Sequence, residues 1–243
     1  MSQSLSLIDF QRTERGPTSY GPLRQIAGAR FRVVFGNDRD GPDAGHCPNA
    51  LAAALYLANT HFIAADTDVI VEHDDDAIVG LEQGELQHDD NIILIGGPDR
   101  NALTHLIATN KTQAFPPVHF ENTALCMADE SALAAFTVGP HRFNAPGVGL
   151  IFLASLWNER ASRPRLLMII AGTDDDGVAA AMKLAEPTIP PMMRAPFSNQ
   201  LPDYVVVNSD VFGKGAGSIL LAGSWDSNWQ YDPLSAYDHT ANE

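Results

Sequence analysis

The sequence predicts an α/β domain: a mainly parallel, flavodoxin-like sheet with helices on both faces and a β-hairpin insertion near residues 118–157. Three observations predict it. Residues 165–185, RLLMIIAGTDDDGVAAAMKLA, join an apolar run to a Gly-Thr turn, three aspartates and a stretch of helical composition. A run that is apolar at every position is the pattern of a strand buried on both faces. The same strand–loop–helix order recurs upstream, so residues 31–108 read β-α-β-α-β-α, the order of a parallel sheet with crossover helices. Finally, 45% of the 243 residues are hydrophobic, enough to bury a core without disulfides or metal.

Residues 1–29 are expected to form an arm, kept extended by Gly16-Pro17 and Gly21-Pro22, with a short turn at 23–27. A single α/β domain follows over 30–231. Its first strand is Phe31–Phe35, ending in Gly36-Asn37-Asp38. After a Gly/Asp/Pro-rich loop, Pro48 suits the first turn of a helix over 49–64. The spacing of Leu51, Ala54, Leu55, Ala58 and Phe62 predicts its buried face. A second strand is expected at 68–72, then the acidic run Asp74-Asp75-Asp76 and a short helix at 77–81. A third strand, Asn91–Ile95, ends in Gly96-Gly97-Pro98-Asp99 and leads to a helix at 101–108.

From about Val118 the pattern changes to short strands at 119–120, 124–127, 136–138 and 148–153, with a Pro-containing loop at 139–147, an antiparallel insertion. After the strand and helix of 165–185, Pro187 stops the helix, and the proline-rich 186–202 excludes regular structure. A last buried strand is expected at 204–207, ending in Asn208-Ser209-Asp210. Three aromatics follow within 225–231, and residues 232–243 read as a tail.

Net charge is −15, from 30 acidic and 15 basic residues. Nucleic acid and anionic membrane surfaces select for basic patches, so neither is expected as a partner. Cys47 and Cys126 do not make a disulfide scaffold; free buried thiols are the expectation. The first residues lack the basic start and apolar core of a signal peptide, and no apolar run reaches spanning length. A soluble chain is expected.

Five expected strands end in small or polar residues: Gly36-Asn37, His73-Asp74, Gly96-Gly97, Gly172-Thr173 and Asn208-Ser209. In a parallel sheet these ends share one edge, where ligands bind. Asn37, Asp38, Asp99, Thr173, Asp174 and Asp210 are therefore the candidate ligand-binding residues. Clustered carboxylates suit a hard cation, while aspartate is also the ordinary residue of caps and turns; the second account is preferred. The run Gly213-Lys214-Gly215-Ala216-Gly217-Ser218 lacks the order of a P-loop and of a dinucleotide fingerprint. Close backbone packing is the expected reason for these glycines and for Gly172. No GxSxG and no HExxH is present, and His46-Cys47 does not make a dyad. No catalytic residue and no cofactor is assigned. Trp225, Trp229 and Tyr231 are expected to close the core rather than to stack a ligand.

Several stretches share an order found in a known family: YGPLRQI at 20–26, NIILIGGPDRN at 91–101, IIAGTD at 169–174, LPDYVVV at 201–207, FGKGAGSILLAGSWD at 212–226, and Trp229. This order resembles the region downstream of the catalytic domain in large hydrolases of the α/β-hydrolase and prolyl-oligopeptidase-like type. The segment Asp74–Asp76 and residues 88–90 depart from it. The resemblance implies an α/β module appended to an esterase or peptidase domain, with the serine nucleophile in that preceding domain. The function expected is a non-catalytic accessory module of a serine hydrolase, shaping substrate access or assembly, with the hydrolase domain as partner. A metal-assisted hydrolase on the acidic rim and a small-ligand or glycan-binding module using the three aromatics are the alternatives. Self-association is left open.

Overall fold

The computed structural model describes residues 15, 23–36, 50–83, 90–109, 117–121, 134–156, 165–186 and 201–239. Its elements follow the apolar runs closely at first. β1 is Phe31–Phe35, α1 Ala50–Ala65, β2 Ile70–His73, α2 Asp74–Gln83, β3 Asn91–Ile95 and α3 Ala102–Thr109. The acidic run at 74–76, expected ahead of a short helix at 77–81, is thus the first turn of α2, where negative charge suits the positive end of the helix dipole. Strands β4 (Val118–Phe120), β5 (Phe136–Val138) and β6 (His141–Phe143) form a separate antiparallel sheet. β6 lies inside the expected loop at 139–147. The strand expected at 124–127 lies outside the described residues.

The second half comprises β7 (Val148–Leu156), β8 (Arg165–Gly172), α4 (Asp175–Ala185), β9 (Tyr204–Asn208), α5 (Val211–Lys214), β10 (Ile219–Gly223) and β11 (Tyr237–Asp238). Short 3-10 turns occupy Leu23–Gly28 and Gly215–Ser218. Residues 232–239, read above as tail, carry β11, which pairs with β10.

The main sheet has eight strands in the order β11-β10-β9-β7-β8-β3-β1-β2. Pairings β1–β2, β1–β3 and β3–β8 are parallel; β8–β7, β7–β9, β9–β10 and β10–β11 are antiparallel. The expected mainly parallel, flavodoxin-like sheet is therefore corrected to a mixed sheet in which antiparallel pairings are the majority. The reason is connection length. Only residues 157–164 separate β7 from β8, too few for a parallel crossover, which needs a dozen or more. β7 is accordingly no part of an insertion. It sits between β8 and β9, antiparallel to both, and fills the centre of the core with Leu150, Ile151, Phe152 and Leu153, all fully buried.

The parallel half explains where the helices lie. From β1 the chain crosses by α1 to β2 on one side, then returns by α2 to β3 on the other. Right-handed crossovers in opposite directions place α1 and α2 on opposite faces. α1 and α4 share a face, and α2 packs with α3. α4 lies unusually close to the sheet. A Cβ on Gly149 would come within 2.0 Å of the Gly177 carbonyl oxygen, one on Gly177 within 2.3 Å of the Val148 carbonyl oxygen, and one on Gly172 within 2.5 Å of the Val178 nitrogen. Close packing thus explains Gly172 as expected, but not the later glycines: around Gly213 and Gly215 there is open space. Of the glycines at 213, 215 and 217, Gly215, at φ +55°, needs glycine's backbone freedom.

The side of α1 that is buried also differs from expectation. Ala50, Ala54, Leu57 and His61 face the sheet, while Leu51, Leu55 and Phe62 are exposed and Ala58 is half-buried. Apolar residues occur all round this helix, so helical spacing alone is satisfied by two faces. The face that docks presents small Ala50 and Ala54, and ends in a His61 ring set edge-on to Phe31 at 4.8 Å.

Candidate functional site

β9 runs in the same direction as β1, β2, β3 and β8, because β7 is antiparallel to both of its neighbours. The five strand ends therefore share one edge in the mixed sheet, as they would in a parallel one. Asn37 and Asp38 lie outside the described residues. The others are placed as follows. Thr173 is buried; its hydroxyl donates to the Ala145 carbonyl (2.8 Å) and accepts from the Val148 amide (3.2 Å). Asp174 caps α4, one oxygen accepting from the Gly177 amide (2.8 Å), the other from the Gly147 amide (2.8 Å). Thr173 and Asp174 thus close the loop before β7 onto the end of β8. Asp99 lies 3.4 Å from Arg100; burial pushes its carboxyl above the usual range, against the pull of Arg100. Asp210 is exposed and bonds Lys214 at 2.6 Å. Each carboxylate already holds a backbone amide or faces a cation.

Among the described residues, His73, Asp74 and Asp75 bring three potential ligand atoms within 4.8 Å of one another. None of the predicted site residues belongs to this group. Asp74 is itself committed to the fold: its Oδ2 accepts from the Ala102 amide at the start of α3 (2.6 Å). Asn101 performs a related task. Its amide donates to the carbonyls of Ile95 (3.1 Å) and Val34 (3.4 Å), and its oxygen accepts from Thr104 (3.0 Å), tying the ends of β1 and β3 to α3. The edge is held together by these bonds. Asp174→Ala is expected to destabilise the chain by about 1–2 kcal/mol, with Asp174→Asn restoring only part of it, because its single amide oxygen can keep one of the two backbone amides; denaturant midpoints of the two variants check this.

The sequence reading missed the concave feature of this edge. Strand order β2-β1-β3 reverses between β1 and β3, and a crevice of about 410 Å³ opens beside that point, between α1 and α4. Ile95 at the end of β3 lies at its base; Ala50, Ala53 and Tyr56 of α1 face Val178 and Met182 of α4, with Phe212 beside them. Its charged border is paired. Arg100 bonds Asp175, and Lys183 bonds Glu186 at 2.9 and 3.1 Å, which raises the Lys183 ammonium above its ordinary pKa. Nothing in the residue types marks such a site, because its walls are alanines and ordinary core side chains.

His61 closes the far end of the α1 contact. Burial lowers its pKa, against a hydrogen bond to the Ala185 backbone that raises it. The unfolded chain, with a pKa near about 6.5, therefore binds the proton more readily than the folded one. Stability is fully present above pH ~6.5 and is lost as the pH falls from there toward the lowered folded-state value, at up to about 1.4 kcal/mol per pH unit. Thermal midpoints from pH 8 to pH 5 are expected to fall in the wild type and to fall less in His61→Leu.

The stretches LPDYVVV and LAGSWD with Trp229 meet in a buried knot. The Arg15 guanidinium forms two bonds to Asp203 (2.5 and 2.7 Å) and one to the Trp225 carbonyl (2.8 Å), and lies 4.7 Å over the Trp229 ring. Asp203 also accepts from the Trp225 amide (2.8 Å). The Trp225 ring stacks on Tyr204 at 4.2 Å and donates to the Leu153 carbonyl (2.9 Å). Trp225 and Trp229 are 3% and 2% exposed, so they close the core and offer no face to a sugar. Beside them His141 meets the Tyr231 hydroxyl at 3.1 Å. Burial raises the Tyr231 pKa, the opposite of what a nucleophile or base requires. Cys47, Cys126 and His46 lie outside the described residues.

Among the described residues, no helix is long and apolar enough to cross a membrane. No family model and no solved structure matches the chain. It is similar to an uncharacterized secreted protein of Arthroderma benhamiae, with 37% identity over 90 residues. That segment is 37% of this chain and 8% of the fungal protein, so the likeness spans a small part of a much longer polypeptide.

Proposed function

We infer that the chain is a non-catalytic accessory module of a serine hydrolase, and that it docks on the hydrolase domain through α1. One observation carries this reading. α1 has no Asp, Glu, Lys or Arg in its 16 residues, yet it lies on the surface with Leu51, Leu55, Tyr56, Phe62 and Ile63 exposed by 48, 46, 52, 57 and 76%. A helix this apolar ordinarily belongs in an interior, and an exposed apolar band, here broken by Asn59, marks an interaction surface. In a chain of net charge −15, an uncharged band is also where a partner approaches with the least repulsion.

The choice of a hydrolase as partner rests on the resemblance of the LPDYVVV and LAGSWD stretches. A role inside a longer polypeptide is supported by the small share of the fungal protein that matches. The strand-end edge supports a structural role, since its carboxylates are engaged in capping and pairing. The test is co-purification of the tagged chain with a serine hydrolase catalytic domain from the same organism. Binding that is lost in the Leu55→Asp/Phe62→Asp variant, with its circular dichroism unchanged, is expected. Binding that this variant retains, or none to any such domain, contradicts the reading.

A further inference from the structure

We propose that the crevice between α1 and α4 is a binding site for a small uncharged molecule with an apolar body. Three independent features point to it. The first is place. The crevice opens at the carboxyl edge beside the reversal of strand order between β1 and β3, the position at which open α/β sheets receive ligands. The second is size: about 410 Å³ falls within the range of roughly 300–1,000 Å³ typical of small-molecule sites.

The third is chemistry. Ala53, Ile95, Val178, Met182 and Phe212 make the walls apolar. The charges at the border are already matched, Arg100 with Asp175 and Lys183 with Glu186. A charged ligand would have to break one of these pairs or bring its charge into an apolar cleft, which is costly without a partner. An uncharged ligand does neither. Tyr56, one of the wall residues, carries a hydroxyl that suits a ligand with one hydrogen-bonding function. Tyr56 borders both surfaces, but the crevice faces α4 whereas Leu55 and Phe62 lie on the exposed side of α1, so separate variants test the two readings.

The test is a fluorescence titration of the full chain with N-phenyl-1-naphthylamine, a neutral apolar probe. Saturable enhancement with one probe per chain is expected. Ala53→Trp, which fills the crevice, is expected to weaken binding at least tenfold. Phe212→Ala, which removes an exposed wall without touching the core, is expected to weaken it several-fold and covers the case in which the tryptophan variant fails to fold. The Leu55→Asp/Phe62→Asp variant is expected to bind the probe as the wild type does, while failing in the hydrolase co-purification. Absence of saturable binding in the wild type overturns the proposal. So does loss of binding in Leu55→Asp/Phe62→Asp with retention in Phe212→Ala, which would place the probe on the exposed face of α1.

Discussion

Arg15→Ala is expected to cost about 3–5 kcal/mol of stability, the range for stranding one member of a buried ion pair, and to lower the denaturant midpoint accordingly. The Arg15 and Asp203 side chains are 1% and 0% exposed. Removing the guanidinium leaves a carboxylate inside the protein with the Trp225 amide as its remaining donor. It also removes the cation stacked on Trp229, a residue held at φ +59°, a conformation that bulky side chains rarely adopt. Loss of the intrinsic tryptophan signal at lower denaturant should therefore accompany the shift. Replacing both partners, as in Arg15→Met/Asp203→Leu, is expected to recover part of the loss, since no charge is then stranded. Recovery stays incomplete because the Trp225 amide loses its acceptor. Arg142→Ala provides the contrast. Its pair with Glu121 is exposed, and the midpoint is expected to stay where it is.

Gly177→Ala is expected to destabilise by about 1–3 kcal/mol or somewhat more, the range for forced overpacking. The sign is informative. By helix propensity alone, alanine in place of a helical glycine should stabilise by about 1 kcal/mol. The packing argument predicts the reverse, because the new methyl would meet the Val148 carbonyl oxygen at 2.3 Å. That carbonyl cannot retreat, since it accepts from the Thr173 amide (2.8 Å) at the junction of β7 and β8. Gly213→Ala, with nothing within 4 Å of its new methyl, is expected to be neutral or slightly stabilising. Paired thermal melts of the two variants check both statements.

The parts of this fold readable from sequence were those fixed by local chemistry. The apolar runs gave β1, β3 and β5 to the residue, and Asp174 was readable as a helix cap. Strand direction was the main failure. An apolar run does not say which way its neighbours point, and β7 looked like part of an insertion. The information lay in the length of the link between β7 and β8, residues 157–164, since so short a link forces an antiparallel pair. The buried side of α1 was misread because an all-apolar helix offers several equivalent stripes. Of the candidate site, the shared edge was legible, because it needs only the directions of five strands. The crevice was not, because it is made by the approach of α1 and α4 and by no motif. The most specific stretches, LPDYVVV and LAGSWD with Trp229, proved to be structural: they build the Arg15–Asp203 knot and its aromatic cover.

Whether the chain is non-catalytic is decided by hydrolysis of p-nitrophenyl acetate and butyrate by the purified full chain. A non-catalytic module is expected to give the same rate as the heat-denatured chain, across pH 5–9 and with or without added magnesium, calcium or zinc. Turnover above that background, abolished by Ser218→Ala, by Ser224→Ala or by Asp174→Asn, would contradict it.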